Sequence, residues 1–315
     1  MLKTYIKQLK QNATSIGEGA DIIWSSIRYG ASPNNYHDFG FNNLTAKERK
    51  TYVTNRFSRR IIRKYNNSEY IDIFEDKIRF AQRFEKYFGR DWISTENMNY
   101  EMFRNFISGK DKIIYKPISN AQGQGIIVYD DLSDGENLFN EIKEKNEKAI
   151  LEEWICQHEE FAKIYSKAIN CLRIITFYNG EKVNFLTRGV TWGNGKKIAN
   201  ACASGIVSPV NFGNGRLEKP AADFSGKIYK QHPITGQNLQ GVSIPYWKET
   251  LEMLTGAAKE VPQVAYIGWD VAITPQGPII IEGNTTPGYR YYQIPVHMKE
   301  KLGNRKIYER SLKKF

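Results

Sequence analysis

Three oxygen-bearing side chains lie close together in the segment 268–284, GWDVAITPQGPIIIEGN. It reads as two short apolar strands joined by a turn at residues 275–277, with Asp270 on the first strand and Glu282 and Asn284 near the end of the second. Residues two apart in a strand point to the same face, so Glu282 and Asn284 project together. If the hairpin pairs about its turn, Asp270 falls roughly one residue pair away and can converge on the same point.

Two carboxylates and an amide oxygen are hard donors of the kind that Mg²⁺ prefers. The alternative is an ordinary amphipathic hairpin with polar residues on its wet face. That alternative suits carboxylates embedded in VAI and PIII less well, because charges beside buried strands need a partner. The hairpin therefore predicts a magnesium site.

A second polar segment precedes it, at residues 112–129, KIIYKPISNAQGQGIIVY. Lys116 closes a strand, and the loop that follows contains Ser119, Asn120, Gly123 and Gly125. Glycines let backbone N–H groups approach an anion, and the lysine adds a compact positive charge. No GK[ST] follows and the next element reads as a strand, which excludes a Walker loop and a Rossmann fingerprint. Taken alone, this pattern is more often a plain turn.

The two segments together resemble one family. KPISNAQGQGI, then LEEWI at 151–155, then WDVAI with IEGN follow the motif order of the ATP-grasp enzymes. The chain is most similar to the sugar-transfer-associated branch, which is found with cell-surface polysaccharide genes. The motifs that assign the branch are RYGASPNNYHDF (28–39), TAKERKTYVT (45–54), QHEEF (157–161), INCLRIIT (169–176), ASGIV (203–207), HPITG (232–236) and IPYW (244–247).

The resemblance implies an α+β fold in which two lobes grip ATP, with a mainly helical N-terminal region at residues 1–75. The ATP-grasp domain would then cover 76–315, with a small lobe at about 110–155, a large lobe at about 156–298 and a basic tail at 299–315. ATP and Mg²⁺ are the implied cofactors.

It also implies roles for individual residues. Lys77 and Lys116 resemble the two ATP lysines, and Arg173 resembles the arginine that faces the γ-phosphate, so Lys116 and Arg173 are the predicted catalytic residues. The other implied positions are the loop that covers the triphosphate (Gly123, Gly125), the adenine hinge (Glu152, Glu153, Trp154, Ile155), the ribose carboxylate (Glu159 or Glu160) and the Mg²⁺ ligands (Asp270, Glu282, Asn284). Cys171 replaces the threonine usual in the branch, and we interpret it as a packing variant.

Composition limits the class of protein. The chain has 315 residues, 41% of them hydrophobic and 25% charged, which is ordinary for a globular protein. No apolar run approaches the length of a membrane span, and the N-terminus lacks the apolar core of a signal peptide. Three scattered cysteines, Cys156, Cys171 and Cys202, predict neither a disulfide framework nor a zinc site. We therefore expect a cytoplasmic protein.

The formal net charge of +11 is concentrated near the two ends of the chain. A basic tail can bind nucleic acid or an anionic membrane surface, although a solvated terminal helix is the favoured reading. We expect a small-molecule or glycan-precursor acceptor as partner, no specific nucleic acid, and possible peripheral membrane contact through the tail.

Periodicity predicts the elements that must position these residues. One helix over 44–65 has Thr45 as its N-cap and Glu48 three residues later, and a second, over 77–89, ends at Gly89. From residue 112 onward strands dominate, with helices at about 134–147 and 245–260. The predicted strands are 112–117, 125–129, 149–155, 171–178, 182–190, 205–211, 265–274 and 278–283.

The segment 191–242 is rich in Gly, Asn, Ser and Pro and is too long for a plain connection, so we predict that it forms the acceptor side of the cleft. The candidate acceptor residues are Arg188, Asn200, Ser204 and His232. Two of them have a simpler explanation, since Arg188 could form a surface salt bridge and His232 could cap a turn. The alternative for the whole segment is a surface excursion that covers the sheet.

The predicted function is ATP- and Mg²⁺-dependent ligation of a carboxylate to an amine through an acyl-phosphate, in cell-surface polysaccharide biosynthesis. One alternative keeps the fold but transfers phosphate to a sugar hydroxyl. A second, a non-catalytic basic nucleic-acid-binding protein, does not explain Asp270, Glu282 and Asn284.

Overall fold

A computed structural model describes residues 2–118, 124–195, 205–298 and 300–312. Its α-helices are α1 (Leu2–Asn12), α2 (Ile16–Arg28), α3 (Pro33–Asp38), α4 (Ala46–Arg49), α5 (Asn55–Tyr65), α6 (Asp72–Glu75), α7 (Lys77–Arg83), α8 (Glu85–Phe88), α9 (Tyr100–Ile107), α10 (Gly135–Glu144), α11 (Glu159–Ala162), α12 (Trp247–Glu260) and α13 (Arg305–Ser311). Short 3₁₀ turns occur at Phe41–Asn43, Ser68–Tyr70, Arg290–Gln293 and Pro295–His297. The strands are β1 (Trp92–Ser94), β2 (Ile113–Pro117), β3 (Ile127–Tyr129), β4 (Ala149–Glu153), β5 (Cys171–Tyr178), β6 (Val183–Trp192), β7 (Ile206–Pro209), β8 (Ala221–Ala222), β9 (Ile228–Tyr229), β10 (Tyr266–Thr274) and β11 (Gly277–Asn284).

The strands form two antiparallel sheets. The smaller has the order β1-β4-β2-β3, and the larger has the order β11-β10-β5-β6-β7-β8-β9. Most helices precede β1, the later ones lie between strands or follow the last one, and every strand pairing in the described residues is antiparallel, so these residues form no parallel βαβ unit. This arrangement confirms the predicted α+β class.

The larger sheet is covered on both faces. In β10, Trp269 and Val271 face one core. This core also contains Phe84, which lies between α7 and α8, and Leu254 of α12. Tyr266, on the opposite face of the same strand, packs in a second core with residues of the N-terminal helices. Because side chains alternate along a strand, Asp270 points toward the side covered by the N-terminal helices.

The smaller sheet has a core of its own. Phe103 and Ile107 of α9 and Leu138 and Ile142 of α10 pack on Tyr115 and its strand neighbours. Neither α9 nor β1 was predicted, since both are short and lack a long periodic pattern. The predicted strands and the predicted helices over 134–147 and 245–260 are observed with shifts at their ends, whereas the predicted helix over 77–89 is two helices, α7 and α8, that meet at Phe84.

The predicted helix over 44–65 is wrong in one respect, because it is two helices. The Thr45–Glu48 capping box is confirmed at the start of α4, but the chain leaves the helix before α5. There the side chain of Gln293 binds the backbone of Val53 on both sides: Val53 N donates to Oε1 (2.8 Å) and Nε2 donates to Val53 O (3.0 Å). This tertiary pairing replaces helical hydrogen bonds across residues 50–54.

Gly89 ends α8 as predicted, in a left-handed conformation with φ of 61°. A Cβ at this position would lie 2.2 Å from Cγ2 of Ile279 on β11. Only glycine therefore allows α8 to end against the larger sheet.

Two further segments, the described part of 191–242 and the C-terminal helix, pack against the rest of the protein. The segment 191–242 is more than a connection, because β7, β8 and β9 within it extend the larger sheet. The C-terminal helix α13 is packed by a fully buried Tyr308. Within the described ranges, no helix is both long and apolar enough to cross a membrane.

Candidate active site

Arg173, Asp270 and Glu282 form one row across three neighbouring strands. Asp270 of β10 pairs with Arg173 of β5 on one side and with Glu282 of β11 on the other. Directly paired residues of antiparallel strands point to the same face. The guanidinium of Arg173 donates to both carboxylate oxygens of Asp270. Asn284 joins the row, since its Nδ2 donates to Oε1 of Glu282 at 3.2 Å.

A β-bulge brings Glu282 into this row. Val271 pairs with Ile280 whereas Asp270 pairs with Glu282, so Ile281 is the extra residue. Straight pairing about the turn would have placed Ile281 opposite Asp270, which is why the sequence predicted an offset of about one pair. The bulge therefore aims the second carboxylate at the first.

The charges in the row perturb one another. The adjacent Asp270 raises the pKa of Arg173 well above its ordinary value. The pKa of Glu282 is raised to about 6, because surrounding protein disfavours its charge and Asp270 lies beside it. Glu282 still has solvent-exposed surface, so a ligand can reach it from solvent.

This donor set fits Mg²⁺. Arg173 already balances the charge of Asp270, and a divalent cation would offset the remaining repulsion between Asp270 and Glu282. Among the described residues no group of three or more His, Cys, Asp or Glu is placed to hold a metal. The predicted set has two carboxylates and one amide, so phosphate oxygens and water would have to complete the coordination sphere. Asp270, Glu282 and Asn284 would hold the ion.

A second cluster is centred on Glu152 in the smaller sheet. Its Oε2 accepts from Nζ of Lys116 at 2.7 Å and from Nε of Arg90 at 2.6 Å. Only 3% of the Glu152 side chain and 2% of the Arg90 side chain are exposed. Burial acts to raise the pKa of Glu152, but the two cations together lower it below its ordinary value. Burial lowers the pKa of Lys116.

Arg90 is a site residue that the sequence analysis missed. Besides Glu152, it donates to the carbonyl oxygens of Phe88 (2.8 Å) and Ile280 (2.9 Å), and it lies over the Phe88 ring. It thus connects the smaller sheet to β11 at the bulge. An arginine that follows a C-capping glycine reads as a surface residue, so no local pattern marks it.

Lys77 brings the two clusters together. Its Nζ donates to the carbonyl oxygen of Pro117 at 2.9 Å, one residue beyond Lys116. Burial lowers the pKa of Lys77, while Glu282 and Glu152 act to raise it. Lys116 is influenced by the same two carboxylates. Lys77 and Lys116 therefore lie within electrostatic range of Glu282, at one end of the carboxylate row. This arrangement fits a bound triphosphate and its metal.

The predicted adenine hinge lies in several environments. Glu152 is buried in the ion cluster, whereas Glu153 is half-buried and accepts from Asp91 N at 3.3 Å. The N–H of Trp154 already donates to Lys112 O at 3.2 Å, and Ile155 follows it, half-buried. Glu159 and Glu160, the two candidate ribose carboxylates, are exposed on α11 and both pair with Lys163.

Two of the candidate acceptor residues, Arg188 and His232, do not join the row. Arg188 pairs across the sheet with Ile174, which points away from Arg173, and its Nε donates to Val210 O at 3.1 Å. His232 is 1% exposed, with Nε2 at 2.6 Å from Gly193 O and its ring stacked on Tyr165. Its Nδ1 faces the N–H groups of residues 234 and 235, so the turn-capping explanation describes its contacts.

Some of the remaining predicted positions lie outside the described residues. Gly123, Asn200 and Ser204 lie outside the described residues, as does Cys202. Gly125 is exposed in the turn before β3. Cys171 is buried, and burial raises the pKa of its thiol, which agrees with a packing role.

Comparison with known families identifies the family of the chain. A family model described as sugar-transfer associated ATP-grasp matches residues 56–306. The chain belongs to this family. The matched region of the sugar-transfer associated ATP-grasp chain begins inside α5 and ends inside α13, so it contains both sheets and both polar clusters. Helices α1 to α4 lie outside it. No curated protein matches the chain.

Several solved structures are similar at low identity. They include the ATP-grasp ligase PsnB complexed with a phosphomimetic variant of its minimal precursor, Mg and ADP (12% identity, 74% of this chain and 58% of that chain, TM-score 0.45). The ADP complex of purK (10%, 75% and 52%, 0.46) and the D-alanine-D-alanine ligase from Coxiella burnetii (13%, 78% and 55%, 0.44) are two more. The aligned part covers only about half to three fifths of each of these proteins.

Proposed function

We propose that this chain is an ATP- and Mg²⁺-dependent ligase that joins a carboxylate to an amine through an acyl-phosphate, acting on a glycan precursor in cell-surface polysaccharide biosynthesis. The observation that carries the proposal is the row of Arg173, Asp270 and Glu282 on three paired strands, with Lys77 and Lys116 in electrostatic range of Glu282. The family supports ATP-grasp chemistry, and the polysaccharide role rests on the family's name alone.

The chain's own residues divide the work. Bound ATP supplies the γ-phosphoryl group that activates the carboxylate. Lys77 and Lys116 neutralise phosphate charge from one side of the cleft, and Arg173 can do so from the other. Asp270, Glu282 and Asn284 hold the cation. Arg90 and Glu152 fix the position of Lys116, because Glu152 accepts from both cations in a buried setting.

The experiment measures products and the fate of oxygen. Purified protein is incubated with ATP, Mg²⁺ and a pool of amino acids and sugar acids whose carboxylates carry ¹⁸O. Attack of a carboxylate on the γ-phosphorus followed by amine displacement transfers one ¹⁸O atom to the released phosphate. We expect ¹⁸O-phosphate and a condensation product by mass spectrometry.

Other outcomes select other functions. A phosphorylated sugar without released phosphate would establish the kinase alternative. Absence of any thermal stabilisation by millimolar ATP with Mg²⁺, together with salt-sensitive binding of polyanions, would favour the nucleic-acid-binding alternative.

A further inference from the structure

A cavity of about 610 Å³ opens between α5 and the helices α1 and α2. Its walls include Arg56, Arg59 and Arg63 of α5, Gly30 after α2, and Thr286 beyond β11. The three arginines are spaced i, i+3 and i+7, so they share one helix face and extend over about 10 Å. All three are exposed.

The cavity wall is held in place by backbone contacts. Arg56 donates to Ser26 O (2.9 Å) and Ile27 O (3.1 Å), and its own N–H donates to Gly30 O (3.1 Å). Gly30 has φ of +70°, and a Cβ there would lie 2.4 Å from the Cβ of Arg56. Glycine is therefore required where the two walls meet.

The cavity adjoins the carboxylate row. Thr286 follows Asn284 by two residues, so their Cα atoms are within about 7 Å of each other. Asn66, at the end of α5, donates through Nδ2 to Tyr266 O and Thr285 O, both at 2.9 Å. The arginine-bearing helix is thereby tied to both strands of the metal hairpin.

Building on the proposed ligase function, we propose that this cavity binds the acceptor and that the acceptor carries a diphosphate, as in a nucleoside diphosphate sugar. Guanidinium groups bind phosphate oxygens in bidentate geometry. Arg56 is held by the carbonyl oxygens of residues 26 and 27 and adds positive charge at the wall. Arg59 and Arg63, about one helical turn apart, are the groups placed to contact phosphate, and two guanidiniums suit a diphosphate better than one carboxylate. The volume lies within the range of small-molecule sites. Neither Arg188 nor His232 is needed for this assignment.

The test is isothermal titration of UDP-glucose into the full chain already saturated with Mg²⁺ and AMPPNP, which occupies the ATP site. We expect binding, and an at least tenfold rise in Kd for the double variant Arg59→Gln/Arg63→Gln. Arg60→Gln is the matched control, because Arg60 is an exposed arginine of the same helix that does not line the cavity. Thermal melting verifies that each variant is folded.

Each result has a distinct meaning. If AMPPNP itself does not bind, the proposed function fails. If AMPPNP binds but UDP-glucose does not, the cavity assignment fails alone. If Arg60→Gln weakened UDP-glucose binding as much as the double variant, general positive charge would explain the binding and the cavity assignment would fail. If glucose 1-phosphate bound as tightly as UDP-glucose, the acceptor would not need a diphosphate.

A separate observation concerns the outer face of α2. Ile16, Ile23, Trp24 and Ile27 are 95%, 44%, 56% and 62% exposed. Their spacing of i, i+7, i+8 and i+11 places them on one stripe of the helix. A contiguous exposed apolar stripe of this kind marks an interaction surface.

The helix next to this stripe is basic, whereas α2 itself carries Glu18 and Asp21, the latter paired with Arg49. The neighbouring helix α1 carries Lys3, Lys7 and Lys10, all exposed, and no acidic residue. Tyr5 of α1 joins the two helices through a 2.9 Å hydrogen bond to Ser26. A second copy of this face would bring the same lysines together in a symmetric dimer, whereas an anionic membrane complements them.

We infer that α1 and α2 dock this protein on an anionic membrane surface, with the α2 stripe entering the headgroup region. The basic C-terminal segment is a weaker candidate for membrane contact, since α13 is anchored by the buried Tyr308. A lipid-facing N-terminal region would lie beside the proposed acceptor cavity, which shares Tyr5 and Ser26 with it.

Co-sedimentation with vesicles tests this inference. We expect the full chain to bind vesicles of phosphatidylcholine mixed with phosphatidylglycerol, and to bind phosphatidylcholine alone at least tenfold more weakly. Trp24→Ser/Ile27→Ser should reduce binding at least tenfold, whereas Ile234→Ser, at a 51% exposed isoleucine elsewhere, should not. Failure to bind vesicles, or a dimer in sedimentation equilibrium that the double variant abolishes, would overturn the membrane assignment.

Discussion

The two polar clusters at the cleft are assembled in different ways. The row of Arg173, Asp270 and Glu282 is set by strand register, since three adjacent strands present one residue each to the same face. The Glu152 cluster instead draws Arg90, Lys116 and Glu152 from separate segments, and all three side chains are largely buried. The first is open to solvent at Glu282 and the second is closed. This difference predicts that the first cluster serves turnover, and that Arg90 and Glu152 of the second stabilise the fold and hold Lys116 in position for the nucleotide.

The largest expected effect is on the closed cluster. Replacing Glu152 with Gln leaves Arg90 and Lys116 buried without their counter-charge, which should lower the free energy of unfolding by about 3–5 kcal/mol. Urea denaturation at neutral pH measures this. Because its cationic partners lower the pKa of Glu152 below 4.5, the wild-type advantage should be present above pH 4.5 and be lost as the pH falls further.

Glu153→Gln provides the control for this change. Glu153 is the next residue of β4 and is half-buried. Its Oε2 accepts a hydrogen bond from Asp91 N at 3.3 Å. Its replacement should cost less than about 0.5 kcal/mol. Equal costs at the two positions would show that the cluster does not stabilise the fold, and the comparison would fail.

The two clusters also differ in how far the sequence revealed them. Asp270, Glu282 and Asn284 lie within one hairpin, so alternation in the strand indicated their shared face, and the structure confirms that Glu282 and Asn284 project together. The bulge at Ile281 was not predictable, because its register depends on carbonyl contacts from Arg90.

Long-range packing explains the other differences. The burial of Glu152 follows from the approach of α8 and Arg90 to β4, and a local pattern carries no information on it. His232 reads as an exposed loop residue, yet it is enclosed by Tyr165 and Gly193, which are distant in sequence. The α+β class and most element positions depend on periodicity and capping, and these were predictable.

The second prediction concerns turnover at the open cluster. Glu282→Gln keeps the size of the side chain but removes a charge that the cation requires, so ATP turnover with Mg²⁺ should fall by at least about a hundredfold, or about 2.7 kcal/mol. The free energy of unfolding should not decrease. Phosphate release and urea denaturation on the same preparation measure the two effects.

The pH dependence of stability sharpens this prediction. The pKa of Glu282 is raised to about 6 from an ordinary value of 4.5. Its contribution to stability is therefore fully present below about pH 4.5 and is lost as the pH rises through 6. Without Mg²⁺, wild type should lose stability over this interval and Glu282→Gln should lose less. Identical pH profiles would place the titrating group elsewhere, and near-normal turnover of the variant would make the hairpin structural.

The smallest expected effect is at the neutral ligand. Asn284 donates one 3.2 Å hydrogen bond to Glu282 and is half-buried, so Asn284→Ala should change the free energy of unfolding by less than about 1 kcal/mol. It removes one oxygen donor but no charge, and the Mg²⁺ concentration for half-maximal turnover should rise by up to about tenfold, less than for Glu282→Gln. Gln276→Ala, in the exposed turn of the same hairpin and outside the donor set, is the control and should leave the Mg²⁺ dependence unchanged. If Asn284→Ala instead lowered Mg²⁺-dependent turnover as much as Glu282→Gln does, the negative charge of Glu282 would not be what binds the cation. An unchanged Mg²⁺ dependence in Asn284→Ala would restrict the protein ligands to Asp270 and Glu282. Strand register would then place two metal ligands rather than three.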